Sequence, residues 1–381
     1  MLLMKKRILF IMPDLPSGGA EKVLIDIFRN FNYSKNDVTL LLKYRQGVYL
    51  TDIPSEVRLK TMFGPLNIWI ERWHRLLNIF HCYHLYHSIV HKLVLLLTLR
   101  GLKFDIIVSF MEGEAVRLHS YMMDKAPNNV SWVHIDLKTK HWTQVFFKND
   151  NQEKTIYEKM DKIVFVSQEA KKKFLELFNV NRAKCYVQYN LIDSTTIKQL
   201  ANLKSVAKDK LTVCMVGRLN LQKRYERALH VVKRLKADGL DFVLWILGEG
   251  GLENQLRTLI AELEIEDFVQ MKGFVKPSYA YMKAADIYWN TSDAEGYPLV
   301  VCEALCLGLP VVATSICGTK EILGNGRYGC LTLEEEDDIY EKIKAMLVSE
   351  HLRKEYAAKA LEGAFCFDTH KVMDEIYQIL Q

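Results

Sequence analysis

A chain of 381 residues, 49% apolar and 25% charged, is too long for one ordinary α/β core and suits a soluble protein of two domains. Its net charge of +5 conceals an asymmetry: residues 1–200 carry 29 Lys and Arg against 19 Asp and Glu, the remainder 22 against 27, so the first half alone suggests an anionic surface. No run of 18 apolar residues is present, which excludes a membrane-spanning helix, and eight cysteines without a C-x-x-C pair read as small buried hydrophobes of a reducing compartment, not a disulfide framework.

Lys5-Lys6-Arg7 precedes an apolar stretch too short for a signal peptide, and Arg7 to Met12 reads instead as the first strand. It runs into Pro13-Asp14-Leu15-Pro16-Ser17-Gly18-Gly19 and a helix from Ala20 to about Asn30; glycines at such a turn let a ligand approach the backbone. The spacing matches neither the dinucleotide fingerprint nor a P-loop, so no nicotinamide cofactor follows. A second strand spans Val38 to Leu42. From Asn67 to Lys103, apolar residues including Trp69, Trp73, Leu85, Ile89, Leu93 and Leu97 recur at helical spacing among arginines and histidines, the pattern of a helix lying on an anionic membrane surface. The alternative is that its apolar stripe packs on the domain's own sheet. His81, His84, His87 and His91 share a face, and interfacial histidines are preferred to a zinc site.

Phe104 to Ser109 and Val130 to Val133 are predicted strands. Their carboxyl ends carry Glu112 and His134, where ligands of open parallel sheets bind. Asp161 to Ser167 is a further strand, and the Lys171-Lys172-Lys173 run after it reads as a solvated helix face. Tyr186 to Tyr189 leads into Asn190-Leu191-Ile192-Asp193. The polar segment Ser194 to Asp209 then breaks the apolar pattern, which places the domain boundary near residue 200.

The second domain restarts with a strand from Leu211 to Val216, ending in Gly217-Arg218-Leu219-Asn220-Leu221-Gln222-Lys223; an Arg and a Lys there can neutralise a diphosphate without metal. A helix to about Ala237, a strand from Phe242 to Leu247, Gly248-Glu249-Gly250-Gly251 opening another helix, and a strand from Phe268 to Met271 into Gly273-Phe274-Val275 follow. Tyr279 to Ala284 is a short helix, and Ala285 to Asn290 a buried strand. Next comes Ser292-Asp293-Ala294-Glu295-Gly296-Tyr297-Pro298-Leu299-Val300-Val301-Cys302-Glu303, with Pro298 in the first turn of an apolar helix. The amides of Leu299 and Val300 make that helix start an anion site. Glu295 and Glu303 would repel a phosphate there, so their task is accepting hydrogen bonds from sugar hydroxyls. Pro310 to Ala313 is a strand, Cys317-Gly318-Thr319 a loop, and the chain is helical from about Ile339.

The two glutamates separated by seven residues, within Glu-Gly-aromatic-Pro-Leu-x-x-x-Glu-Ala, together with Gly-Arg-Leu-x-x-x-Lys, resemble the retaining nucleotide-sugar glycosyltransferases of the GT-B fold, family four. The usual glycine after the lysine is Arg224 here. The resemblance implies an α/β chain of two doubly wound Rossmann-like domains facing a central cleft: an acceptor domain over residues 1–200 with the closing helix 365–381 packing back on it, and a donor domain over residues 201–364. It implies that Arg218, Lys223 and the helix start at Leu299 and Val300 hold a diphosphate, with Gly217, Gly296, Tyr297 and Pro298 shaping the same pocket. Glu303 would hold the ribose, Glu295 the donor sugar, and Gly273, Phe274 and Val275 the base, while His134 lines the reaction centre and Gly18 and Gly19 border the diphosphate.

The activity implied is front-face, metal-independent transfer from a nucleoside diphosphate sugar, UDP-linked, with no cofactor and no nucleic acid. Asp293-Ala294-Glu295 only superficially resembles a metal-binding triplet. The acceptor is read as a lipid-linked saccharide of bacterial surface polysaccharide synthesis, met in the cytoplasm on the inner face of the plasma membrane. A soluble acceptor, a nucleotide-sugar epimerase and a non-catalytic binding subunit are the alternatives.

Overall fold

The computed structural model describes residues 5–65, 83–139 and 141–381. The chain divides into two compact units: residues 1–191 with His370–Gln381, and Ile192–Thr369.

In the first unit a seven-stranded parallel sheet has the order β3-β2-β1-β4-β5-β6-β7. Its strands are β1 Lys6–Met12, β2 Asn36–Tyr44, β3 Arg58–Phe63, β4 Ile106–Ser109, β5 Asn128–Val133, β6 Lys162–Phe165 and β7 Cys185–Val187. β1 lies inside the sheet, between β2 and β4, and Ile8 to Met12 are all buried, as expected of a strand covered on both faces. The edge strand β3 was not apparent in the sequence, because Met62 is its only buried residue. The helix after β1 is Gly19–Arg29, one residue earlier than predicted at each end, with Gly18 as its cap.

The predicted interfacial segment falls partly on residues 66–82, outside the described residues. Its remainder is helical over Tyr83–Tyr86, a π-helical turn His87–His91 and Lys92–Thr98. Leu95 faces the core, whereas Leu85, Ile89, Leu93, Leu96 and Leu97 are exposed. His91 departs from the interfacial reading. It is fully buried, edge-on to Phe63 and Tyr86, one helical turn before the buried Leu95. Among the described residues no group of three His, Cys, Asp or Glu could hold a metal, and no helix is long and apolar enough to cross a membrane.

The closing helix is Thr369–Ile379 rather than 365–381; Phe365 instead caps the preceding helix Glu350–Ala364. It docks on the first unit through Tyr377, whose hydroxyl accepts from the Asn32 amide at 2.6 Å and whose ring meets Phe31. Lys162 bonds its last carbonyl, that of Ile379, and Lys6 the Leu380 carbonyl just past it, cations being favoured at a helix C-terminus.

The second unit holds a six-stranded parallel sheet of order β10-β9-β8-β11-β12-β13. These are β8 Leu211–Val216, β9 Phe242–Leu247, β10 Val269–Gly273, β11 Ile287–Asn290, β12 Val311–Thr314 and β13 Cys330–Thr332. The unit begins at Ile192, not near 200. Asp193 accepts from the Thr196 amide at 2.9 Å and hydroxyl at 2.6 Å, capping a helix Ser194–Ala201 that buries Ile197 and Ala201 in this unit. The first part of the predicted polar boundary segment is therefore a docked helix, and only residues 202–209 are irregular. Cys317–Ile322 likewise forms a helix where a loop was predicted, with the Thr319 hydroxyl bonding Thr314 and Ile316.

Candidate functional site

At the carboxyl edge of the second sheet, three glycine-bearing turns interlock. The Gly217 amide bonds the Leu247 carbonyl at 3.0 Å, and the Gly248 amide bonds that of Gly273 at 2.8 Å. Gly248 has φ 145°, and a Cβ there would lie 1.9 Å from the Gly217 carbonyl oxygen, so no other residue fits. Tyr225 is buried, and its hydroxyl donates to the Gly217 carbonyl at 3.0 Å.

Beyond Gly217, Arg218 is exposed and its guanidinium has no bonded partner among the described residues. Lys223 lies in a 3₁₀ turn Leu221–Lys223 that is capped by Asn220. Its Nζ sits 2.6 Å from Glu295 Oε1, and the Ser292 hydroxyl donates to the same oxygen at 2.9 Å. One carboxylate oxygen of Glu295 thus takes two bonds. Arg224 keeps the left-handed backbone that a glycine would adopt, φ 52°, while its guanidinium pairs with Asp293 and Glu226.

Pro298 caps the motif helix rather than entering it: the helix is Leu299–Cys306, and Pro298 is extended at φ −69°, ψ 103°. The amides of Leu299 and Val300 consequently lie at its open start, outside the intrahelical ladder. Helix Cys317–Ile322 abuts this turn so closely that a Cβ on Gly318 would lie 2.5 Å from Pro298 Cδ and 2.9 Å from the Gly296 carbonyl. Glu303 is buried on the helix, and the Tyr279 hydroxyl donates to its Oε1 at 3.2 Å. Tyr297 is half-buried, Val275 half-buried and Phe274 exposed. The structure therefore assembles Gly217, Lys223, Glu295, Gly296, Pro298, Leu299, Val300 and Glu303 in one unit. Sequence reasoning missed Ser292, Asp293, Arg227 and Tyr279; the polar Asn290-Thr291-Ser292 end of a buried strand was the available signal.

In the first unit, Gly18 is buried and Gly19 exposed. The Glu21 carboxyl fills the space a Gly18 side chain would occupy, 2.0 Å from a Cβ there. That helix start thus already holds an acid of its own chain. His134, one residue past β5, donates its amide to Glu112 Oε2 at 2.9 Å. Its ring lies 5.0 Å from that of Phe110, and Nε2 is buried without a hydrogen-bond partner among the described residues. Burial pushes His134 down to about 4 and Glu112 up to about 7, the Glu112 shift being only partly offset by the His134 amide. His134 is neutral at pH 7.

Residues 198–362 match the family model described as "Glycosyl transferases group 1". The second unit belongs to the glycosyl transferases group 1 family. Among its curated relatives is the N-acetylgalactosamine-N,N'-diacetylbacillosaminyl-diphospho-undecaprenol 4-alpha-N-acetylgalactosaminyltransferase of Campylobacter jejuni subsp. jejuni serotype O:2, 33% identical over 227 residues, 59% of this chain and 61% of the relative. The amylovoran biosynthesis glycosyltransferase AmsK of Erwinia amylovora is 35% identical over 141 residues, 35% of this chain and 34% of that one. The chain thus spans about three fifths of the first relative's length and a third of the second's. The structure of Anabaena Alr3699/HepE in complex with UDP and glucose superposes with a TM-score of 0.74 at 21% identity, over 98% of both chains. The fold of this chain is accordingly of the GT-B type, two parallel sheets with flanking helices.

Proposed function

We propose that the chain is a retaining glycosyltransferase that moves a sugar from a nucleoside diphosphate, UDP in the first instance, to a lipid-linked saccharide in bacterial surface polysaccharide synthesis. The observation that carries this reading is the placement of Lys223, Glu295 and the open helix start at Leu299 on one edge of one sheet, with buried Glu303 on the same helix. Arg218 and Lys223 stabilise charge on the departing diphosphate, and the helix start adds its dipole. Glu303, one oxygen of which is held by Tyr279, accepts from ribose hydroxyls. Glu295, with one oxygen occupied by Lys223 and Ser292, accepts from the donor sugar through the other. Gly273, Phe274 and Val275 border the base, while Gly217, Gly296, Tyr297, Pro298 and Val300 shape the pocket.

Double displacement would need a free carboxylate nucleophile at the anomeric carbon. Glu295 is instead tied to a lysine and a serine, which favours front-face attack with the departing phosphate taking the acceptor's proton. Arg218 and Lys223 supply the positive charge, so no metal or other cofactor is required by this scheme. In this scheme the first unit contributes His134, a neutral group whose amide is held by Glu112, toward the acceptor, and Gly18 and Gly19 toward the acceptor and phosphate. The names of the relatives above support the acceptor class, and nucleic acid has no place in the scheme.

The exposed Leu85, Ile89, Leu93, Leu96 and Leu97, with Lys92, Arg100 and Lys103 also exposed, fit an anionic bilayer surface, so the enzyme works peripherally on the inner face of the cytoplasmic membrane. Calorimetric titration of UDP, GDP and ADP in EDTA tests the donor site. One nucleotide binds wild type and loses most of its affinity in Arg218→Ala and Glu303→Ala; binding that neither substitution weakens overturns the site.

A further inference from the structure

Arg227 lies on the first turn of helix Tyr225–Ala237, yet the residue is buried, 7% exposed. A buried cation is costly unless bonded, and here it is aimed out of its own helix at the neighbouring loop. Nη1 donates to the Thr291 carbonyl at 3.3 Å and Nη2 to Asp293 Oδ1 at 2.8 Å. The other Asp293 oxygen faces Arg224 Nε at 3.2 Å. Around this centre the same two loops are bonded again. The Asp293 amide donates to the Gln222 carbonyl at 3.0 Å, and Gln222 Nε2 donates to the Ala294 carbonyl at 2.5 Å. The Thr291 hydroxyl meets the carbonyls of Lys223 and Arg224, 3.0 Å from each. Every one of these bonds falls within four residues of Lys223 or Glu295.

We propose that Arg227 and Asp293 are positioning residues that join the loop carrying Lys223 to the loop carrying Glu295, so that the two functional side chains meet on a fixed backbone. The proposal rests on the donor-site reading only for its consequence. If a diphosphate draws Lys223 away from Glu295, only the side chain has to swing, because the backbones on both sides stay bonded. Arg224, at the left-handed position, adds the second guanidinium to Asp293, a contact a glycine could not make.

The test reads Lys223 directly, without nucleotide. Full-length protein is acetylated with acetic anhydride and the Lys223 peptide quantified by mass spectrometry, with circular dichroism and the exposed Lys204 as folding and reagent controls. Lys223 in wild type reacts slowly, and Glu295→Gln frees it. Arg227→Ala and Asp293→Ala raise its rate by about three-fold or more, Arg227→Lys recovers part of the protection, and Arg234→Ala, remote from the loops, changes nothing. Wild-type rates in folded Arg227→Ala and Asp293→Ala overturn the proposal. A parallel UDP titration separates the two claims: wild type that binds no nucleotide counts against the donor site, while the Lys223 rates still decide the positioning role.

Discussion

Glu112→Gln tests the buried acid behind His134. Glu112 is 2% exposed, and burial lifts its carboxyl from an ordinary 4.5 to about 7, with Glu153 nearby raising it further and the His134 amide opposing. The folded chain therefore holds a proton that the unfolded chain releases from pH 4.5 upward. Stability falls as pH rises through that window and is level again above about 7. At roughly 1.4 kcal/mol per unit, the loss between pH 5 and pH 8 is about 2.5 kcal/mol. Glutamine keeps an oxygen for the His134 amide but cannot ionise, so it escapes this loss. The difference in unfolding free energy between Glu112→Gln and wild type, from urea denaturation, shifts by about 2.5 kcal/mol in favour of the variant between pH 5 and pH 8. His134, pushed down to about 4, destabilises in the opposite direction, as pH falls below 6.5, and cancels because both proteins carry it. A pH-independent difference would refute the reasoning.

Gly248→Ala forces a Cβ to within 1.9 Å of the Gly217 carbonyl on a positive-φ backbone, and costs about 3 kcal/mol or more, read as a melting transition lowered by several degrees or lost. Tyr279→Phe removes a donor from buried Glu303, and weakens nucleotide binding by about 1 kcal/mol, roughly five-fold, by calorimetry, with Glu303→Ala exceeding it. Ile89→Asp with Leu93→Asp abolishes flotation with phosphatidylglycerol vesicles and leaves the melting temperature within about a degree, because both side chains are exposed. Unchanged flotation would remove the helix from the membrane account.

Where strands are covered on both faces they were legible as continuous apolar runs: β8 and β9 coincide with their predicted bounds, and every residue of β9 is buried. The edge strand β3 and the three-residue β13 gave no such run, since burial is partial and length short. Helix Ser194–Ala201 was hidden for a different reason: two buried residues and one aspartate cap hold it, and its remaining surface is as polar as a linker. In the site, Glu295, Glu303 and Lys223 were visible because spacing along a turn and a helix is local information. The Arg227–Asp293 and Tyr279–Glu303 contacts were not, since 66 and 24 residues separate the partners and only the sheet topology brings them together. His91 shows the converse limit: helical periodicity put it on the histidine face, whereas it is buried in line with Leu95.

The central claim is most directly tested by nucleotide release from a panel of UDP-, GDP- and ADP-sugars in EDTA, with wild type, Arg218→Ala and Glu303→Ala. The account predicts slow release from one donor, unaffected by EDTA, lost in both variants and accelerated by a lipid-linked saccharide. Absence of release from every donor, with or without such an acceptor, would contradict it.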